Sequence, residues 1–227
     1  RELFGDVRGA KGGALHSEAL DILSRKGINI VVMNPEEPPA AENTTLIQDF
    51  TAEPNGVEII AGKKVPFALQ ISDSALIGNP EFEADIMRWF HAHGAAIQHI
   101  ATSEGTVSFT FHEGEYSDAL RTGLMQHLQS AHGISGSDTV KVLENVSLVY
   151  CLGNNMGRPG QAAKATTALE LAGVDIRFIT QGLNESVMTF LIDEEDRDCA
   201  IQMLHDVFIS MDDMEYRRIQ ERFRADI

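Results

Sequence analysis

The residues whose types could bind a small ligand gather around a loop near position 73. An apolar run ends there, and a second predicted strand is expected to end beside it. A bound carboxylate needs backbone N–H groups, which a loop entering a helix N-terminus supplies, and a bound ammonium group needs a carboxylate such as Asp73 or Glu104. The pattern indicates a site for a free amino acid; the alternative is a solvated turn that caps a helix. The candidate residues are Ser72, Asp73, Ser74, Ile97, Gln98, Thr102, Ser103 and Glu104.

A second candidate region is the glycine-rich loop from Gly153 to Gly160. Its glycines permit close approach of a ligand or a partner surface. The loop lacks the Gly-x4-Gly-Lys-Ser/Thr spacing of a P-loop, which argues against nucleotide binding. The loop and the strand that follows could contact an effector or line a dimer interface, and we favour the interface. The residues concerned are Asn154, Asn155, Met156, Asp175 and Gln181.

Other reactive residue types do not form a recognisable catalytic or metal-binding pattern. His91 and His93 are two residues apart, which places them on different faces of a helix. Cys151 and Cys199 have no CxxC spacing, so neither a disulfide framework nor a zinc site is expected. We therefore predict no catalytic residue, no metal and no cofactor for this chain.

Composition and charge narrow the classes of partner. The chain has 227 residues, 43% of them hydrophobic, and a net charge of -16. Nucleic acids and anionic membrane surfaces attract clustered Lys and Arg, so neither is an expected partner. The spacing of the two cysteines fits a reducing, cytoplasmic setting. No apolar run approaches a membrane span, and no signal peptide is apparent. The chain begins with Arg1 and is expected to be a piece of a longer protein.

The elements that must position these residues follow from hydrophobic periodicity. A helix and a strand precede a Pro- and Glu-rich linker at 35–43, and Val57–Ile60 is a short strand closed by Gly62. A regular βαββαβ order then follows. Its predicted strands are 65–72, 96–102, 107–111 and 139–143, and its predicted helices are 81–93 and 116–131.

The same order starts again at Val146. It has strands at 146–152, 175–180 and 187–192 and helices at 160–171 and 196–208, and Gly94 can be laid on Gly173. An internal repeat of this kind constrains the fold strongly. The second copy lacks its last strand, because 211–218 is charged and helix-like. We predict that Val57–Ile60 completes the second sheet, which makes the first copy an insertion in the second.

The ordered series resembles the tandem ACT domains of aspartate kinases over roughly residues 10–210. The residues that carry the resemblance are Leu15–Leu20, Gly27–Ile30, Thr44–Ile47, Ala101–Glu104, Leu148–Ala163, Ala172–Ile176 and Ile179–Gly182. It implies an α+β fold of two ferredoxin-like βαββαβ ACT modules, the first inserted in the second, after a short remnant of the kinase domain. The implied domains are 1–50 (end of the kinase domain and linker), 64–144 (first module), 57–62 with 145–209 (second module) and 210–227 (helical tail).

The resemblance also implies a function. The chain is expected to be the feedback-sensing region of an aspartate kinase, with no catalysis of its own, forming a homo-oligomer through its ACT modules. ATP and Mg would belong to the parent kinase, and the effector would be threonine or lysine. An Asp often found in lysine-inhibited members falls at Gln98 here, and a neutral amide is a poor counter-ion for an ammonium group. The alternatives are a ligand-free ACT dimerisation module and a small ferredoxin-like enzyme.

Overall fold

The structure is a computed structural model in which the chain divides after Glu53 into two compact units. The residues that it describes are 19, 22–23, 25–33, 36, 44–47, 56–112, 117–134, 139–154, 156–182, 186–211, 216 and 218. In the first unit, β1 (Ile30–Met33) pairs antiparallel with β2 (Thr44–Ile47). Apart from Glu36, the predicted linker at 35–43 lies outside the described residues, as does most of the predicted 210–227 tail. In the described part of the chain, the structure has no helix that could cross a membrane.

The second unit is built on one six-stranded antiparallel sheet with the order β4-β5-β3-β6-β8-β7. Within the described residues of this unit, four α-helices have bounds on both sides. The strands are β3 (Gly56–Ser72), β4 (Ile97–Ser103), β5 (Thr106–Phe111), β6 (Val140–Asn154), β7 (Ile176–Gln181) and β8 (Val187–Asp193). The helices are α1 (Pro80–Ala92), α2 (Asp118–His132), α3 (Gln161–Leu171) and α4 (Arg197–His205).

Two long strands run through both modules. The C-terminal part of β3 pairs with β5 and with the first part of β6, whereas its N-terminal part pairs with the second part of β6, as in Ile60 opposite Cys151. The second part of β6 also pairs with β8. Val57–Ile60 therefore lies in the second module's sheet, and the predicted insertion of the first module into the second is confirmed.

The predicted end of a strand at Gly62 is wrong, because β3 continues without a break from Gly56 to Ser72. Gly62 instead leaves room for a helix that packs on the sheet. A Cβ atom there would lie 2.6 Å from Ile201 Cδ1 of α4, so the missing side chain lets the helix approach the sheet. The modules meet instead at Pro66 and Asn145, which the β3–β6 ladder skips. Proline has no N–H to give to a ladder, and Asn145 has a φ of 54°.

The internal repeat extends to backbone detail. α1 and α3 are each followed by a glycine with positive φ, Gly94 at 72° and Gly173 at 70°. The next strand in each module has a register shift near its start, between Ile97 and His99 in β4 and between Ile176 and Phe178 in β7. An offset of 79 residues (173 minus 94) relates these positions, so the predicted overlay of the two halves is confirmed.

Three apolar clusters hold the unit together. In the first module, the buried face of α1 consists of Phe82, Ile86, Trp89 and Phe90. In the second, the buried face of α3 consists of Ala165, Ala168 and Leu169. A third cluster joins the modules. It contains Val65, Ala68, Val146, Leu148 and Leu191.

The last predicted helix, 196–208, has three parts. A 3-10 turn covers Glu194–Asp196, α4 covers Arg197–His205, and a π turn covers Asp206–Ser210. Ser147, which is buried, donates a hydrogen bond to Glu194, and Arg197 lies 2.6 Å from the other oxygen of that carboxylate. The acidic start of the segment is therefore tied to the sheet.

Candidate functional site

The loop after β3 and the turn between β4 and β5 form one unit. The Asp73 N–H donates to the Gly105 carbonyl at 2.9 Å, and the Ser72 and Thr106 hydroxyls lie 3.3 Å apart. Gly105 has a φ of 71°, and a Cβ there would lie 3.3 Å from the Asp73 carbonyl oxygen. The turn therefore requires glycine at this place.

This arrangement brings the polar part of the predicted site together. Ser103 pairs with Thr106, which pairs with Ser72, so the ends of three strands are adjacent. Ser74 opens a short 3-10 turn, Ser74–Leu76. Glu104 and Ser103 are exposed and Asp73 is half-buried. Two carboxylates thus stand beside this loop, and solvent reaches Ser74, Ser103 and Glu104.

Ile97 and Gln98, from the same predicted set, lie at the other end of β4. Five residues of extended strand separate Gln98 from Ser103, which is about 17 Å. Within one chain, the two groups cannot contact the same small amino acid. The Gln98 side-chain amide donates to the Tyr150 hydroxyl at 3.1 Å instead, so it faces β6 near the junction of the modules.

The two outer strands of the sheet, β4 and β7, contact each other through side chains. His99 Nε2 lies 2.7 Å from Thr180 Oγ1, and the His99 and Phe178 rings stack with centroids 5.5 Å apart. The sheet must therefore curl until its outer strands meet. Burial lowers the pKa of His99, because a charged imidazole would lose its hydration there.

This contact joins equivalent positions, since the 79-residue offset places His99 on Phe178. A residue that touches its own repeat equivalent marks a local two-fold relation. Sequence reasoning missed His99, Tyr150, Phe178 and Thr180. The repeat overlay held a signal, because the offset that lays Gly94 on Gly173 also lays His99 on Phe178.

The second loop repeats the first in outline. The Gly153 N–H donates to the Ser186 carbonyl at 3.0 Å, as Asp73 does to Gly105. Met156 is fully buried in the second core, and its carbonyl accepts a hydrogen bond from Gln181 Nε2 at 3.0 Å. The Met156 side chain therefore contributes to packing, and Gln181 fixes the loop.

The remaining predicted residues of this region are not gathered there. Asp175 precedes β7 at the end away from Gln181 and pairs with Arg177 at 2.8 Å. Asn154 ends β6, with its backbone opposite Gly56. Asn155 lies outside the described residues. An effector or interface role for this set stays a prediction.

Comparison with known proteins finds a family match within the second module and similar proteins over most of the chain. The family model of the ACT domain matches residues 149–208. The chain is 26% identical over 196 residues to aspartate kinase Ask_Ect of Stutzerimonas stutzeri, covering 86% of this chain and 40% of that protein.

Among solved structures, the chain is similar to the aspartate kinase of Clostridium acetobutylicum. The TM-score is 0.72 at 26% identity, over 86% of this chain and 45% of that one. It is also similar in fold to Escherichia coli aspartokinase III in complex with lysine and aspartate, with a TM-score of 0.66 at 24% identity, over 86% of this chain and 42% of that one. The chain spans less than half the length of each of these proteins.

Proposed function

We propose that this chain, which is the C-terminal regulatory region of an aspartate kinase, binds a free amino acid and conveys that binding to a kinase domain. One observation carries the proposal. The loop at Asp73 is fixed to the turn at Gly105 by a hydrogen bond, and two carboxylates flank it. The chain itself has no catalytic role in this proposal.

The site matches the chemistry of a zwitterion. Backbone N–H groups of the loop that leads into α1 would bind the ligand carboxylate. Asp73 or Glu104 would bind its ammonium group through charge-assisted hydrogen bonds. Ser72, Ser74, Thr102 and Ser103 would then select among side chains. All of these positions stay proposals until ligand binding is measured.

Threonine is the favoured effector and lysine the other candidate. Gln98 is neutral, and its amide donates to Tyr150, so it offers no counter-ion to a second ammonium group. A hydroxyl side chain, by contrast, suits the serine and threonine hydroxyls near Asp73. The lysine in the Escherichia coli aspartokinase III complex belongs to that protein, and a titration must decide the question here.

The two modules offer a route for coupling, because they share β3, β6 and one apolar cluster. A ligand at the end of β3 that favours one curvature of the sheet would alter the contact between His99 and Phe178. An effector shifts an equilibrium only by its difference in affinity for the two states, and such coupling is typically about 1–3 kcal/mol.

Self-association is a further part of the proposal. Ile100 and Ile179 are related by the 79-residue offset and are exposed by 38% and 44%, each on an outer strand. Exposed apolar side chains at equivalent positions would suit a two-fold interface between chains. Replacing both with Lys is expected to shift the chain to monomer in sedimentation equilibrium. The control is Ile77→Lys, which changes another exposed isoleucine and should leave self-association unchanged.

The site is tested by calorimetric titration with threonine, lysine and methionine. We expect the double substitution Asp73→Asn with Glu104→Gln to abolish the binding and Asp118→Asn, the same kind of change in the first turn of α2, to retain it. Bound ligand also stabilises the folded chain, by about 2.7 kcal/mol when the free ligand concentration is a hundred times Kd, and therefore raises the melting temperature. If none of the three amino acids binds, the sensing role is wrong.

The absence of catalysis is tested separately. We expect the purified chain to show no aspartate-dependent turnover of ATP, since ATP and Mg would be bound by the kinase domain of the parent protein. Measurable turnover would contradict the proposal. We further propose a cytoplasmic location, which suits the free thiols of Cys151 and Cys199.

A further inference from the structure

A compact group of metal-ligating side chains lies between α1 and α2, away from the amino-acid loop. Asp85 of α1 faces His127 and His132 of α2. Asp85 Oδ2 lies 2.6 Å from His127 Nε2 and 2.9 Å from His132 Nε2. The ligand atoms of all three residues lie within 4.8 Å of one another. Two imidazoles and one carboxylate therefore converge on one point.

The two imidazoles approach this point from different directions. Their ring planes are 78° apart, with centroids separated by 5.9 Å. Phe82 contacts the His132 ring edge-to-face at 4.6 Å, and Trp89 lies 6.0 Å from the His127 ring. Aromatic neighbours thus restrict both rings. Ligands that converge from separate directions and are held by packing suit a tetrahedral ion.

The spacing is close to that of a zinc centre. Zinc binds His nitrogen and carboxylate oxygen at about 2.0–2.2 Å, which puts ligand atoms about 3.3 Å apart in a tetrahedron. The contacts of His127 and His132 with Asp85 Oδ2 reach that value when they open by about 0.7 and 0.4 Å. The three side chains are 19–27% exposed, so water can supply a fourth ligand.

We propose that Asp85, His127 and His132 form a binding site for a divalent transition-metal ion, with zinc the expected occupant. Two imidazoles favour zinc and its neighbours over magnesium or calcium, which prefer oxygen ligands. The ion would link α1 to α2 across the outer face of the first module. It would stabilise that module and would not take part in amino-acid binding.

The competing explanation is a carboxylate that accepts hydrogen bonds from two imidazoles with no ion. Those hydrogen bonds, from His132 first and then His127, lower the pKa of Asp85 to about 2. Arg88 also lies 3.5 Å from the other carboxylate oxygen, although its side chain is 70% exposed. The two explanations differ in one measurable property, the saturable uptake of one ion per chain.

The test is titration of the metal-free 227-residue chain with zinc, by calorimetry and by thermal melting. We expect one equivalent to bind and the melting temperature to rise with zinc concentration. Zinc binding should be weakened at least ~10-fold by each of Asp85→Asn, His127→Gln and His132→Gln. Substitution of residues that only hydrogen-bond to metal ligands already has effects of that size. The control is His91→Gln, which changes an exposed histidine of α1 and should bind zinc as tightly as the parent does.

Two further measurements do not depend on how well those variants fold. Trp89 is the only tryptophan, and copper bound beside His127 should quench its fluorescence with the same one-to-one saturation. In His132→Cys, which keeps a ligand at this position, cobalt should bind and show a thiolate charge-transfer absorption band. The proposal is overturned if zinc does not bind saturably, or if the three folded variants bind it as tightly as the parent.

Discussion

Gly153→Ala tests whether the N-terminal part of β3 stabilises the second module. A Cβ at Gly153 would collide with the carbonyl oxygen of Gly56, and it would lie 2.8 Å from the carbonyl carbon of Gly56 and 2.9 Å from Cα of Val57. All of these are backbone atoms of the adjacent strand, so relief requires the ladder itself to move. We expect a loss of about 2–3 kcal/mol, the upper part of the range for overpacking.

Gly62→Ala is the matched control, since it makes the same change in the same pair of strands. Its Cβ would meet side-chain atoms and no backbone atom, namely Ile201 Cδ1 at 2.6 Å and Arg197 Cγ at 3.1 Å. These side chains can rotate away. Alanine also reduces the conformational entropy of the unfolded chain, which stabilises the folded chain by about 0.4–1 kcal/mol. Gly62→Ala should therefore be much less destabilising than Gly153→Ala.

The assay is thermal unfolding followed by circular dichroism and by Trp89 fluorescence. For a domain of this size, a loss of 2–3 kcal/mol lowers the melting temperature by about 4–12 °C. Trp89 lies in the first module, but the modules share two strands and one apolar cluster. In Gly153→Ala, the melting midpoints measured by circular dichroism and by Trp89 fluorescence should therefore fall by the same amount. A Trp89 midpoint that stays at the parent value would refute the coupling of the modules, and equal effects of the two substitutions would refute the steric argument.

Three further predictions concern charge and reactivity. Burial lowers the pKa of His99 below 6.5, so the unfolded chain takes up a proton more readily than the folded chain. The free energy of unfolding, measured in urea, should therefore fall as the pH decreases below about 6.5. His99→Gln should reduce this dependence on pH, whereas the control His91→Gln should not. Burial raises the pKa of Cys151 to about 12, so a thiol reagent should modify the exposed Cys199 in the folded chain and both thiols in urea; early modification of Cys151 would contradict its burial. Arg177→Ala, which removes ion pairs to Asp175 and Asp193, should cost less than about 1 kcal/mol in urea unfolding because these groups are exposed, and a larger loss would show that the pairs are structural.

The fold was largely predictable because its signals are local. Apolar spacing located the helices, and glycines such as Gly94 and Gly173 marked their ends. The missing strand of the second module could be inferred by counting, which identified Val57–Ile60. The continuity of β3 was not predictable, since Gly62 usually signals a break and here accommodates Ile201 of a helix about 140 residues away in sequence.

The sites were less predictable, because they depend on how elements pack. Asp85 and His127 are 42 residues apart on different helices, and neither has a neighbour in sequence that suggests a ligand set. His99 meets Phe178 because the sheet curls, which no local pattern encodes. The spread of Gln98 and Ser103 along one strand, by contrast, follows from strand geometry and could have been anticipated.

The insertion of one module in the other has a consequence for synthesis on the ribosome. The segment around Ile60 is synthesised before its partner around Cys151, which follows about 90 residues later; at typical elongation rates this delay is on the order of 10 s. During that interval the first module is completed only at its end, when the first part of β6 is synthesised, and the strand around Ile60 lacks its partner and is open to chaperones or to nascent neighbours. Slow translation between residues 112 and 146 would prolong this exposure, so codon choice there should influence how much of the protein is recovered in soluble form.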